Sequence, residues 1–356
     1  MIKVFLAFVF LLTSILAFSQ VGGTSTYQFL NFTNSARIEG AGGYLIAVKD
    51  NDATLGVENP ALLNKSMHGY LALDYVNQFA GANYGFTSYT KHYDSLATFN
   101  ASLLFANYGK FQYADVEGIR NGSSFTASDF DFRIGAGREI TERISLGINV
   151  NLLASFYEKY NSFGVSSTLG ANYYNKEKAF YVGLIIKNIG YQIKGYTKKN
   201  NESLPFNTVL SISKKMAHAP FRLTLTYHNL QKFNLLYFDD KAPLEKDPLT
   251  GELIENKPPG FGKKLVQHLV IGGELIFTKN FNIQLGYNHN IRYLNKTKAK
   301  AGATGLSFGV GFKVKRFHVA YSIGKRHIAG TNNHITIATR IGKTKTPKKI
   351  VILKPE

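Results

Sequence analysis

Fourteen stretches of this chain alternate apolar and polar residues with a period of two, and that alternation restricts its fold more than any other feature. Between 129 and 136, Phe130, Phe132, Ile134 and Ala136 share one parity, and Asp129, Asp131, Arg133 and Gly135 the other. Between 281 and 288, Phe281, Ile283, Leu285 and Tyr287 alternate with Asn282, Gln284, Gly286 and Asn288. Successive side chains on a strand point to opposite faces, so each stretch has one greasy face and one small or polar face. The predicted strands are 69–77, 82–91, 96–108, 126–138, 143–157, 162–174, 178–187, 207–214, 220–229, 266–278, 281–291, 303–313, 316–324 and 332–341. Long connections (109–125, 188–206, 230–265, 292–302) follow odd-numbered strands, and tight ones (139–142, 175–177, 279–280, 314–315) follow even-numbered strands. An up-and-down barrel in an outer membrane sorts its connections in this way, because alternate turns lie on opposite sides of the bilayer. A soluble sandwich has no reason to do so. The expected fold is therefore all-β, a 14-stranded antiparallel outer-membrane β-barrel over residues 69–341.

The composition agrees. With 44% apolar, 13% aromatic and 18% charged residues, the chain has too much apolar surface to stay disordered and too little charge for a polar coat all round. It has no Cys, which excludes disulfides, thiolate metal sites and a cysteine nucleophile. No segment after the N-terminus reaches 18 consecutive apolar residues, so a membrane-spanning helix is excluded there. Residues 1–19 read as a cleaved signal peptide: Lys3, the apolar run VFLAFVFLLTSILA, then Ala17 and Ser19 before a cut at Gln20. An anchoring helix is the alternative, but that run falls short of the roughly 20 residues needed to span a bilayer. The expected location is the outer membrane of a Gram-negative cell.

Residues 20–68 do not alternate cleanly and form a separate N-terminal unit. Apolar Leu45, Ile46, Val48, Leu62 and Leu63 favour a packed plug, or hatch, inside the barrel over a flexible arm. Within it, Asn59, Pro60 and Ala61 suit a turn, because Asn can cap one and Pro fixes φ on entry to the next segment. The chain carries a formal charge of +19, and residues 342–356 (GKTKTPKKIVILKPE) form a basic C-terminal tail on the periplasmic side. Basic clusters at a membrane border either bind the phosphates of lipid or lipopolysaccharide or serve as a solvated rim. Nucleic acid is not an expected partner of an exported barrel.

No serine-hydrolase elbow, His-Glu-x-x-His helix, phosphate loop or dinucleotide-binding turn occurs, so no enzyme activity, cofactor or metal is expected. His334 and Thr336 come nearest to a nucleophile set. Arg222 with His228, and His268 with Glu274, share strand faces and read as lumen residues rather than metal ligands. Asp129, Asp131 and Arg133 read as an ion-pair ladder in the lumen, with a hydrolytic carboxylate pair as the weaker alternative. Gly272, Gly273, Gly309 and Gly311 either permit a kink that opens the wall or provide curvature and interior packing, and the second reading is the more economical.

Long runs in order, QVGGTSTYQFLNFTNSAR, NPALLN, YVNQFAGANYGFTSY, SKKMAHAPFRLTLTYHNLQKF and FHVAYSIGKRHIAGTNNHITIATRI, resemble the PorQ-like outer-membrane components of the type IX secretion system. That group sits with PorV-like relatives of the FadL-type barrels. The resemblance implies fourteen strands, an N-terminal hatch with the Asn59-Pro60-Ala61 triplet in it, and a non-enzymatic role anchoring a cell-surface attachment complex. The implied partners are PorZ-like and PorU-like surface proteins and lipopolysaccharide. The connections 188–206 and 230–265 are the expected grip, with Tyr237, Phe238 and Phe261 as aromatic anchors. The last strand ends in Thr339-Arg340-Ile341, without the aromatic terminus many such barrels carry. The alternative function is FadL-like transport of hydrophobic small molecules.

Overall fold

The computed structural model describes residues 25–341 apart from 79–80, 95, 199–200, 237–244, 247–252, 255–257 and 296–301. The expected signal peptide and basic tail, and the anchors Tyr237 and Phe238, lie outside the described residues. Fourteen antiparallel strands close into one barrel. They are β1 (Tyr70–Asn77), β2 (Asn83–Tyr93), β3 (Ala97–Ala114), β4 (Arg120–Glu139), β5 (Ile144–Tyr157), β6 (Tyr160–Asn175), β7 (Phe180–Lys194), β8 (Asn207–Lys215), β9 (Phe221–Tyr227), β10 (Leu269–Thr278), β11 (Phe281–Asn288), β12 (Leu306–Val314), β13 (Phe317–His327) and β14 (Gly330–Arg340). Each pairs with its neighbour in sequence, and β14 returns to β1 with Arg340 opposite Tyr70. Closure leaves no edge strand exposed to lipid.

The alternation sorts the two faces as the fold requires. In β5, Ile144, Leu146, Ile148, Val150 and Leu152 are exposed on the outside while Ser145, Asn149 and Asn151 are buried within. The same inversion of a soluble protein, apolar outside and polar inside, runs around the wall and is what a bilayer selects.

Three strands run further than their sequence suggests. The β3–β4 hairpin continues past the barrel, so the expected loop 109–125 shrinks to 115–119. Its outer part pairs only with itself, from Lys110 opposite Thr126 to Ala114 opposite Arg120. Strand β7 passes through a bulge and ends at Lys194, which shortens the expected connection 188–206 to 195–206. The bulge holds Asn188 at φ 61, with its side chain donating to the Pro205 carbonyl at 2.8 Å. The largest connection, 228–268, contains a short ladder of Glu245–Lys246 on Leu253–Ile254.

Residues 25–69 carry two short helices, α1 (Ala36–Gly40) and α2 (Ala53–Glu58). Ser35 caps α1 by accepting from the Ile38 amide, and Asp52 caps α2 by accepting from the Thr54 amide. The apolar residues of this segment are among the most enclosed in the chain: Ile38, Leu45, Ile46, Leu55 and Leu62 are 0% exposed.

Candidate functional site

The polar inner face and residues 25–69 meet along the whole barrel. At the rim carrying the long connections, the Thr26 amide donates to the Ser203 carbonyl at 2.9 Å, and the hydroxyls of Tyr27 and Ser162 lie 2.5 Å apart. At the rim of short turns, the Gly69 amide donates to the Thr90 carbonyl at 2.8 Å, where β1 begins. The segment therefore threads the lumen from one rim to the other.

Asn59, Pro60 and Ala61 make a tight contact with the wall. The Asn59 side chain accepts from the Ala61 amide at 3.0 Å and donates to the Ile46 carbonyl at 2.7 Å, and Pro60 opens a 3-10 turn. The triplet lies against Gly137, Gly147 and Gly170 of β4, β5 and β6. A Cβ on Gly147 would stand 2.5 Å from the Ala61 nitrogen, one on Gly170 would meet Asn59 Oδ1, and one on Gly137 the Pro60 carbonyl. Only glycine lets the backbones come this close. Of the glycines singled out in the sequence, two behave alike on the opposite wall: Gly272 faces the Ala41 carbonyl, and Gly309 faces Gly40. Gly311 faces Asn282, and Gly273 lies on the other face, beside Phe221.

Charge holds the segment to the wall as well. Arg37 of α1 reaches Asp50 at 2.8 Å, Asp52 at 3.1 Å and Glu274 of β10 at 2.8 Å, and Arg222 of β9 shares Glu274 at 2.7 Å. Glu39 pairs with Arg326 of β13 at 2.5 Å, and Glu58 with Lys187 at the β7 bulge at 2.6 Å. Burial alone would raise the Glu39 carboxyl, but the Arg326 guanidinium, with help from His334 and Thr33, brings it down to about 2. Burial pushes the Tyr44 hydroxyl up to about 12. At the closing seam, His334 of β14 hydrogen-bonds Asp74 of β1 through Nδ1 at 2.9 Å and Thr33 through Nε2 at 3.2 Å. Thr336 donates to Asp74 at 2.6 Å and accepts from the Ala36 amide at 2.7 Å.

Asp129, Asp131 and Arg133 all face inward, but they do not form one ladder. Arg133 pairs with Asp131. Asp129 instead accepts from the hydroxyls of Tyr108 (2.6 Å), Tyr157 (2.8 Å) and Ser155, which satisfy the carboxylate without a cation. His228 stacks on Tyr44 with ring centroids 5.4 Å apart, and burial lowers its imidazole to about 4. His268 lies between the carbonyls of His228 (2.7 Å) and Phe233 (3.1 Å), away from Glu274, which is occupied by the two arginines. Among the described residues no cluster of three His, Cys, Asp or Glu stands at metal-binding geometry. Phe261 opens a short helix, Phe261–Val266, in the largest connection; it is 70% exposed with its ring 5.5 Å from Phe233.

The partners that sequence reasoning missed are Arg37, Glu39, Glu58, Lys187 and Arg326. The available signal was charge at inward parity: Lys187, Arg222 and Glu274 each occupy a lumen-facing strand position, where a charge needs a counter-charge. The space left over is small. A cleft with about 50 Å³ of free volume near the short-turn rim is lined by Arg37, Asp52, Thr54, Asn282, His318 and Thr336, among others.

The fold is that of known outer-membrane channels. The crystal structure of the P. putida toluene transporter TodX aligns with a TM-score of 0.53 at 10% identity, covering 87% of this chain and 99% of that one. A deltaS2S3 mutant of TodX, described as a monoaromatic hydrocarbon channel, aligns with a TM-score of 0.53 at 13% identity, covering 86% of this chain and 98% of the other. No protein-family model matches the chain, and no curated protein matches it.

Proposed function

We propose that the protein is a non-enzymatic barrel of the Gram-negative outer membrane, exported by a cleaved signal peptide, that moves small apolar molecules past a hatch formed by residues 25–69. The short turns then face the periplasm and the long connections the cell surface. The observation that carries this reading is the filled lumen within a fold shared with a toluene transporter. A barrel packed along its axis offers water and ions no wide path, which argues against a general porin. An apolar solute would instead need local rearrangement of the segment or of the wall, and the β7 bulge beside Lys187 and Asn188 is a place where ladder pairing is already interrupted. The test is purification from outer membranes in mild detergent, with mass spectrometry of bound small molecules and uptake of labelled toluene and oleate by cells with and without the protein. A stoichiometric apolar ligand and protein-dependent uptake support transport.

A second reading is favoured by the β3–β4 hairpin, which stands clear of the barrel with Val116 99% and Ile119 65% exposed at its tip. Such a projection suits an anchor for a surface protein. With the resemblance to PorQ-like components, it supports a role in holding the attachment complex of the type IX secretion system, with PorZ-like and PorU-like partners and lipopolysaccharide nearby. Phe261, Tyr237 and Phe238 remain the proposed anchors of the largest connection on that reading. Recovery of such a surface protein in the same purification, with no bound apolar ligand, would put anchoring ahead of transport.

A further inference from the structure

The rim of short turns is divided electrically. Around the turns that join β2 to β3, β4 to β5 and β6 to β7, Asp94, Glu139, Glu142 and Glu177 stand among Lys91, Arg138, Arg143, Lys176 and Lys178, with Asp94 and Glu139 paired to Lys65 and Lys49 of the lumen segment. Around the next three, β8–β9, β10–β11 and β12–β13, stand the exposed cations Lys214, Lys279, Lys315 and Arg316, and residues 213–223, 277–282 and 312–319 contain no Asp or Glu. The other cations there take lumen positions: Arg222 is held by Glu274, Lys215 stands opposite Arg222, and Lys313 stands opposite His318 of the lumen cleft. These three turns are consecutive around the barrel, so the four exposed cations form one continuous arc.

The wall above that arc is the low side of the barrel. Strands β8 to β13 have 9, 7, 10, 8, 9 and 11 residues, against 18, 20, 14, 16 and 15 for β3 to β7. A strand of about 9–11 residues only just crosses the hydrocarbon, so the turns at its end lie at headgroup depth. Aromatic side chains mark the same level. Phe277, Phe312 and Phe317 are exposed on the outside, Phe281 stacks with Phe277 at 5.6 Å and with Phe312 at 5.0 Å, and the Arg316 guanidinium sits 5.3 Å from the Phe317 ring centre. An aromatic belt belongs at the bilayer interface, which sets the cations one step beyond it, where phosphates lie.

We propose that this arc is a binding surface for anionic phospholipid headgroups of the membrane leaflet at the short-turn rim. It needs only that the barrel sit in a bilayer, and it holds whether the protein transports or anchors. The lipid phosphates supply the counter-charge that the protein withholds from this half of the rim. Acid-free cations beside exposed phenylalanines fit a lipid better than a protein face, because the same side chains can meet acyl chains and phosphates together.

The experiment is native mass spectrometry of the purified barrel with equal amounts of phosphatidylglycerol and phosphatidylcholine of matched chain length. The unaltered protein should retain phosphatidylglycerol in preference. Two double variants, Lys214→Gln/Lys279→Gln and Lys315→Gln/Arg316→Gln, should each lower that retention about tenfold, on the order of what losing two cations from a charged surface predicts. The variant Arg138→Gln/Arg143→Gln/Lys176→Gln/Lys178→Gln on the acid-bearing arc should leave it unchanged. Heat-dependent gel migration shows that each variant is a closed barrel, and because the double variants are separate, either one that folds decides the question. Equal retention of the two lipids by the unaltered protein, or equal losses from both arcs, overturns the proposal. Salt-sensitive binding of polyglutamate without a phosphatidylglycerol preference overturns it in favour of an acidic protein partner.

Discussion

Lys187 Nζ lies 2.6 Å from Glu58 Oε1, and both side chains are buried. The lysine stands where β7 bulges and the glutamate ends α2, so one ion pair ties the irregular point of the wall to the segment inside it. Removing a single partner leaves an uncompensated charge in the interior. Lys187→Met should therefore destabilise the barrel by about 3–5 kcal/mol, and adding Glu58→Leu should recover most of that loss. Thermal unfolding followed by gel migration measures both, and a double variant no better than the single one would mean that the pair is not the source of the loss.

The glycine cradle predicts a steric outcome. Gly147→Val places a side chain where the Pro60 and Ala61 backbone now lies, so the segment must leave its seat. Limited proteolysis should then cut within residues 49–65 while the strands stay intact, and a protected segment would show that the cradle has slack.

Acid should loosen the segment in a defined window. The Glu39 carboxyl is held at about 2 against an ordinary 4.5, so its contribution is complete above about 4.5 and is lost as pH falls towards 2. The wild-type melting temperature should drop across that window more steeply than that of Glu39→Gln. Parallel curves would place the acid-sensitive group elsewhere.

The threading can be read directly, because the chain has no Cys of its own. Gln28→Cys, exposed at the long-connection rim, should react on intact cells with a maleimide too large to cross the outer membrane. Lys65→Cys, exposed near the short turns, should react only after that membrane is opened. The reverse pattern would invert the barrel's orientation.

The strands were legible because lipid and lumen demand opposite side chains at alternate positions, and the alternation persists wherever both are present. It fails for two physical reasons. Past the membrane, at residues 109–125, neither face of the hairpin is selected for apolarity, and KFQYADVEG alternates only in two short pieces of opposite phase, with the ladder shifting register between Gln112 and Ala114. At Lys187 and Asn188 two successive residues are buried, the parity reverses, and β7 reads as finished seven residues too early. The site was less legible than the wall. Parity put Asp129, Asp131 and Arg133 inside, but which side chain meets which depends on neighbours from other strands, so Asp129 found hydroxyls rather than a cation. The glycines were readable as permissive positions, whereas the residues that require them lie far away in sequence.

A chain that runs from rim to rim inside a closed wall also dictates an order of events. Once β14 has joined β1, the segment can enter only by drawing a free end through a lumen it fills, so the wall must instead be wrapped around it. The final step is the meeting of Tyr70 and Arg340, near opposite ends of the chain, and it is among the slowest a fold can demand. Thr33, Asp74, Tyr84 and His334 converge at that seam, so the segment serves as the mandrel on which the last two strands are joined.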